Sequence, residues 1–217
     1  MPAVRHNYLE LMRIAIIPFF LAFFSCGRQT TDNRVNCYFP AKDFLEERTY
    51  CYVNQKDTTD RSFWKMKTAL SGGDTIFQTT IYNEDRLAEK IIEKIDNGNS
   101  KLTSYTLYDK ERISECRILE SQVYKVDQKE GEEIKWSVRF QDPNTMNSLL
   151  MTKTRKLENA DKGRQTYSDK LQIEIPGTSK KYEYFVKFVY ERGKGLVSYK
   201  LIRPGMPTKE FKLTTIK

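Results

Sequence analysis

Ser62-Phe63-Trp64-Lys65 has the SxxK spacing in which a lysine base activates a serine nucleophile. That chemistry sets the lysine one turn along a helix, whereas Ser62 opens a run of strand character. With 12 Ser and 23 Lys in 217 residues, chance alone supplies about one such match, so the motif carries little weight. Asp57-Thr58-Thr59-Asp60 and Glu130-Gly131-Glu132-Glu133 concentrate carboxylates, but neither has the spacing of a calcium loop, and both read as solvated hairpin tips. Two carboxylates ~5–9 Å apart would serve a histidine-free hydrolase, yet the sequence singles out no such pair. The expectation is no enzyme, no cofactor and no metal, with a carboxylate hydrolase as the weakest alternative.

The first 26 residues say more. Arg5, His6 and Arg13 precede eleven uncharged residues, Ile14 to Phe24, with Pro18 among them. At about 1.5 Å per residue this run reaches only half of a ~30 Å hydrocarbon core, and Pro18 breaks a continuous helix. It therefore reads as the apolar region of a signal peptide. Phe23-Phe24-Ser25-Cys26-Gly27 follows and resembles the lipobox of bacterial lipoproteins. The resemblance implies removal of residues 1–25 and lipidation of Cys26 with acyl chains such as palmitate, leaving 192 residues. Two chains already suffice for stable anchoring. Gly27 in place of an aspartate implies sorting to the outer membrane. A single acid, Asp32, among residues 27–36 favours the leaflet facing the periplasm. Residues 26–36 read as a flexible tether and 37–217 as one β-rich domain.

Such cleavage also removes His6, the only histidine. Ser-His-Asp and Cys-His catalysis, HExxH zinc sites and every histidine-ligated metal centre are then excluded from the remaining chain. Cys37, Cys51 and Cys116 would stand in an oxidising compartment. Closing the Cys37–Cys51 loop would stabilise the fold by about 3 kcal/mol. The alternatives are a Cys51–Cys116 bridge or three buried thiols.

Charge is uneven. Residues 26–145 carry 19 basic and 21 acidic groups, whereas residues 146–217 carry 16 basic and 7 acidic. Export argues against nucleic acid and makes anionic headgroups the better target. The plainer explanation is a set of solvated strand faces whose lysines blunt sheet edges.

The elements that must position these residues are strands. Ile134, Trp136, Val138 and Phe140 alternate with Lys135, Ser137 and Arg139, and Tyr182, Tyr184, Val186, Phe188 and Tyr190 share one face. Leu171, Ile173 and Ile175 form another such face; Trp64, Met66 and Leu70 form a fourth. Turn chemistry separates the runs at Ser71-Gly72-Gly73-Asp74, Asp96-Asn97-Gly98-Asn99, Gly131, Asp142-Pro143-Asn144, Pro176-Gly177 and Pro204-Gly205. Eleven or twelve strands in an antiparallel meander, forming a barrel or half-barrel, are expected. Residues 86–95 fit a helix by spacing, with Leu87, Ala88, Ile91, Ile92 and Ile95 on one side, but the meander around them decides for a strand. A second, short helix is expected over Ala41–Arg48.

Tyr38-Phe39-Pro40 followed by Tyr50 and Tyr52 resembles the start of a group of Bacteroidota lipoproteins without assigned activity. Val189-Tyr190-Glu191-Arg192-Gly193-Lys194-Gly195-Leu196-Val197 is similar to the strand–GxG–strand element that ends them. The resemblance implies a fold like the half-barrel of the Lol-type lipoprotein carriers. Trp136, Phe140, Tyr184, Phe188 and Tyr190 would then either line a groove for an apolar or anionic amphipathic ligand or be ordinary core. Two functions follow as expectations: an accessory module that binds an envelope partner, or a carrier-like module that binds such a ligand. The contact that the lipobox resemblance implies is the lipid bilayer, through Cys26.

Overall fold

A computed structural model describes residues 38, 44–109, 112–142, 145–161 and 163–217. Thirteen strands follow in chain order: β1 (Arg48–Asn54), β2 (Arg61–Ser71), β3 (Asp74–Asn83), β4 (Arg86–Asp96), β5 (Asn99–Asp109), β6 (Arg112–Glu115), β7 (Arg117–Tyr124), β8 (Glu133–Gln141), β9 (Ser148–Asp161), β10 (Arg164–Glu174), β11 (Lys181–Glu191), β12 (Gly195–Ile202) and β13 (Lys209–Ile216). All pairings are antiparallel. The sheet runs from β4 back through β1, crosses to β13 and descends to β7 and β5, and pairing of β4 with β5 closes the ring. Of the two shapes the meander allowed, the molecule takes the closed barrel, with twelve strands in the ring and β6 as an extra strand beside β5.

Turn chemistry sets the strand lengths. Gly72 and Gly73 both have φ > 0, at 60° and 87°, as do Asn97 and Gly98, at 48° and 78°. Two successive left-handed residues match the right-handed twist of the strands they join, which is why Gly-Gly and Asn-Gly connect hairpins so tightly. Register slips by one residue at several pairings, including β1–β13 at Cys51/Tyr52, β4–β5 at Ile92/Glu93 and β11–β12 at Val189/Tyr190. Such bulges add local bend and twist, which a sheet needs in order to close on itself.

Residues 86–95 are strand, paired on both sides with β3 and β5. The short helix expected over Ala41–Arg48 is not formed where it is described. Phe44 alone has 3-10 geometry and Arg48 already belongs to β1, while 41–43 lie outside the described residues. Leu70 shares the Trp64–Met66 face but emerges past the barrel end, 74% exposed.

Inward side chains form two apolar clusters. The larger gathers Tyr38, Phe44, Tyr50, Tyr52, Met66, Phe77, Tyr124, Leu157, Tyr167, Phe188, Tyr190, Leu196 and Phe211. Tyr38 and Phe44 enter it from the segment before β1, stacking on Tyr124 at 4.4 Å and meeting Phe77 edge-on at 5.5 Å. The smaller contains Leu102, Tyr105, Val123, Trp136, Val138 and Met151, with half-buried Ile91, Leu107, Phe140, Leu171 and Ile173 against it.

Candidate functional site: a charged layer inside the barrel

Between the two clusters lies a layer of ionisable groups. Along β9 the inward residues run Met151, Lys153, Arg155, Leu157; along β10 they run Tyr167, Asp169, Leu171, Ile173. The register Asp169↔Arg155 sets these two side chains opposite each other. Arg155 donates from Nε and Nη2 to the two Asp169 carboxylate oxygens, both at 2.9 Å, and from Nη1 to the Val123 carbonyl at 3.3 Å. Lys153 reaches the same carboxylate at 2.9 Å. The Asp169 side chain is wholly buried and that of Arg155 is 4% exposed, whereas Lys153 keeps 18% of its side chain in solvent. Burial pushes the Asp169 carboxyl upward, but the Arg155 and Lys153 cations outweigh it and hold the group below the usual carboxylate range.

Aromatic faces complete the cations' surroundings. The Lys153 ammonium lies 4.9 Å from the centre of the Phe188 ring and 5.7 Å from that of Trp136. The Arg155 guanidinium lies 5.4, 5.3 and 6.0 Å from the rings of Tyr167, Phe188 and Tyr190. A cation over such a face is attracted by the ring quadrupole, more strongly where water is excluded.

Glu93 of β4 is the fourth ionisable member. The Tyr38 hydroxyl donates to both of its carboxylate oxygens, at 3.1 and 3.0 Å, and the Ser100 hydroxyl donates a further short bond. Burial raises the Glu93 carboxyl above its ordinary value; Ser100, Tyr38 and the charges of Arg155 and Lys153 pull the other way without overcoming it. Two acids in one bore are thus driven apart, Asp169 toward the ionised form and Glu93 toward the neutral one.

The aromatic residues expected to act together do not line a single groove. Phe188, 6% exposed, and Tyr190 are packed in the larger cluster, because cations and rings close over them. Trp136 is buried edge-on against Tyr105 at 5.6 Å, and Phe140 is half-buried beside it in the smaller cluster. Tyr184 is half-buried under the Arg203 guanidinium, 5.6 Å from the ring. Lys153 is what joins the two groups, touching Trp136 on one side and Phe188 on the other.

Lys153, Arg155, Asp169 and Glu93 escaped sequence reasoning, although a signal existed. Asp169 is in phase with Leu171 and Ile173, so the apolar face read from that strand continues backward into a buried acid. Lys153 and Arg155 are likewise in phase with Met151 and Leu157.

The other candidates fall away from any shared site. Ser62 points inward, donating to the Tyr82 carbonyl at 3.2 Å and accepting from Trp64 Nε1 at 3.0 Å. Lys65 is on the opposite face of β2, 5.2 Å from the Tyr82 ring centre, so the SxxK pair is not assembled. Asp57 accepts from the Thr59 amide and hydroxyl, and Asp60 binds Lys209 at 2.7 Å. Glu132 binds Lys125 at 2.9 Å. Cys51 and Cys116 are free thiols, so they form no bridge with each other. Burial, with the nearby Glu89 charge, pushes Cys116 up to about 12, which removes it as a nucleophile near neutral pH. Cys26 and Cys37, together with the segments expected to form the leader and tether, lie outside the described residues.

No protein-family model and no curated protein matches the chain. Its fold does match solved structures. A protein from Parabacteroides distasonis designated a lipoprotein superposes with a TM-score of 0.50 at 10% identity, over 79% of this chain and 95% of that one. An exported protein with a YmcC-like fold from Bacteroides fragilis gives 0.49 at 9% identity, over 79% and 94%. The hypothetical lipoprotein YmcC from Escherichia coli gives 0.34 at 9% identity, over 98% of each chain. At these identities the likeness is one of architecture: the chain shares its fold with the Parabacteroides protein.

Proposed function

We propose that the chain is a non-catalytic lipoprotein of the bacterial cell envelope, anchored through acylated Cys26 in the outer membrane and facing the periplasm, where it serves as an accessory module for an envelope partner. The observation that carries this reading is the polarity of the barrel. Its bore is occupied by Tyr, Phe, Met and paired charges, while Lys65, Lys94, Lys101, Lys135, Lys187 and Lys200 are on strand faces turned outward. A membrane-spanning barrel has the reverse arrangement, with an apolar band outside and a polar lumen; lysine on the lipid face costs about 2–4 kcal/mol near the midplane. A barrel packed inside and charged outside works at its surface, and it needs a separate anchor to stay at a membrane. The leader and lipobox supply that anchor. The non-catalytic reading is supported by the commitment of Asp169 and Glu93 to internal partners.

A second reading, carrier-like binding of an apolar or anionic amphipathic ligand, is favoured by Lys153. Its side chain keeps some exposure beside Trp136, and the half-buried Phe140, Leu171 and Ile173 pack against the same cluster. Intact and native mass spectrometry on protein extracted from the producing bacterium tests both. The mass of residues 26–217 plus acyl chains is expected. A co-purifying protein favours the first reading and a non-covalent lipid adduct the second; an uncleaved, unacylated chain overturns the anchor.

A further inference from the structure

Ten large apolar side chains are exposed among the described residues, and four of them, Tyr182, Phe185, Ile202 and Met206, belong to β11, β12 and the turn that follows. Phe185 and Ile202 are register partners on the outer face, 41% and 39% exposed. The next outward pair along the same two strands is Lys187 opposite Lys200. Across β10, Lys170 is the partner of Phe185. Residues 180–209 hold eight basic and two acidic groups, and one of those acids, Glu183, is held by Lys170 at 3.2 Å and Lys181 at 3.7 Å. Among the described residues, Lys180, Lys187, Lys200 and Arg203 have no carboxylate within ion-pair distance.

Lysines often blunt a sheet edge, but that explanation does not apply here. β11 and β12 are interior strands of a closed ring, hydrogen-bonded on both sides, and have no edge to protect. Like charges directly opposite on neighbouring strands are unfavourable, and an exposed Phe–Ile pair beside them adds apolar surface in water. Both features become favourable against one kind of surface, which offers anionic groups at one depth and hydrocarbon just beneath.

We propose that the outer corner formed by Phe185, Lys187, Lys200, Ile202 and Met206 is a docking face for an anionic lipid bilayer, orienting the barrel against the membrane. The acyl anchor fixes the chain's distance from a bilayer; this face fixes which side of the barrel meets it.

The test uses full-length protein purified from the producing bacterium, mixed with vesicles of phosphatidylcholine alone or with phosphatidylglycerol added. Amide exchange is read in the 203–208 turn. Exchange there is expected to slow about tenfold on anionic vesicles, to recover at high salt, and to stay fast on zwitterionic ones. Lys187→Glu with Lys200→Glu, and separately Phe185→Ser with Ile202→Ser, should abolish the slowing while leaving the unfolding midpoint near that of the parent. Equal exchange on both vesicle types overturns the proposal, as does full slowing in the folded variants. Flotation reads the anchor separately. A chain that floats on zwitterionic vesicles without the anionic effect keeps its anchor and loses the docking face. A chain that floats only on anionic vesicles loses the anchor and keeps the face.

Discussion

The two halves of the bore are built from similar residue types and behave differently. In the larger cluster, buried phenols close their own hydrogen bonds: Tyr50 donates to the Lys194 carbonyl at 2.7 Å, Tyr52 to the Leu196 carbonyl at 2.9 Å, and Tyr38 to Glu93. Each of these bonds spans a long stretch of chain, and those of Tyr50 and Tyr52 tie β1 to the β11–β12 hairpin. In the smaller cluster, Tyr105 donates to Glu89 at 2.8 Å, but Ile91, Leu107, Phe140, Leu171 and Ile173 remain only half-buried. The charged layer is the floor between them. Stability is therefore expected to reside in the half that Tyr38 and Phe44 enter, and any capacity to admit a ligand in the half around Trp136.

Removing one partner of the floor should have the largest effect. Asp169→Ala leaves Arg155 and Lys153 without their carboxylate, and a loss toward the upper end of ~3–5 kcal/mol is expected in chemical denaturation. Replacing both Asp169 and Arg155 by apolar residues of similar volume should recover most of that loss; a double variant as unstable as the single one would mean the layer is needed for more than charge balance. Next comes the contrast of halves. Phe188→Ala, in the closed half and under both cations, should cost about 3–4 kcal/mol, while Phe140→Ala, in the half-open one, should cost about 1 kcal/mol. Equal losses would erase the distinction between the halves.

Tyr38→Phe is a smaller change. It removes the hydroxyl that bridges the Glu93 carboxylate oxygens, and about 1 kcal/mol of stability should go with it. The smallest effect is one of pH. Burial holds Glu93 above its unfolded value, so its contribution is complete below the unfolded pKa and is lost as pH rises through the folded one. Asp169, held low, does the opposite: its contribution is present above the unfolded pKa and disappears as pH falls. Glu93→Gln keeps a neutral acceptor for Tyr38 and removes the ionisation. Relative to the parent, it should be more stable at about pH 8 than at about pH 4. An identical difference at both would show that Glu93 binds its proton equally well folded and unfolded, so that burial does not raise it.

Residues 86–95 show why part of the chain resisted period-two reading. The inward face of β4 carries Glu89, Ile91, Glu93 and Ile95, and its outward face carries Lys90, Ile92 and Lys94. Two acids turned inward and an isoleucine turned out blur the alternation, leaving a pattern that fits helical spacing as well. What makes Glu93 tolerable inside is Tyr38, 55 residues away, and Ser100 across the hairpin. No window short enough to read a period contains both Glu93 and Tyr38.

Strands, turns and the all-β class are local properties, and the sequence by itself determined them. Alternation assigns a face to each side chain, and Gly-Gly and Asn-Gly supply the left-handed residues that hairpins require. The charge asymmetry is likewise written in composition. Closure of β4 on β5 was decided only by tertiary structure, because whether a meander curls into a ring or stops half-way depends on twist and bulges summed over twelve strands. The same is true of the charged floor. Lys153, Arg155, Asp169 and Glu93 look like ordinary surface charges in the chain, and they become a site only when three strands and an incoming tyrosine bring opposite charges and hydroxyls within hydrogen-bond reach. The energy of a buried charge is set by what surrounds it, and those neighbours come from β4, β5, β7, β8, β9, β10 and β11 and from the segment before β1.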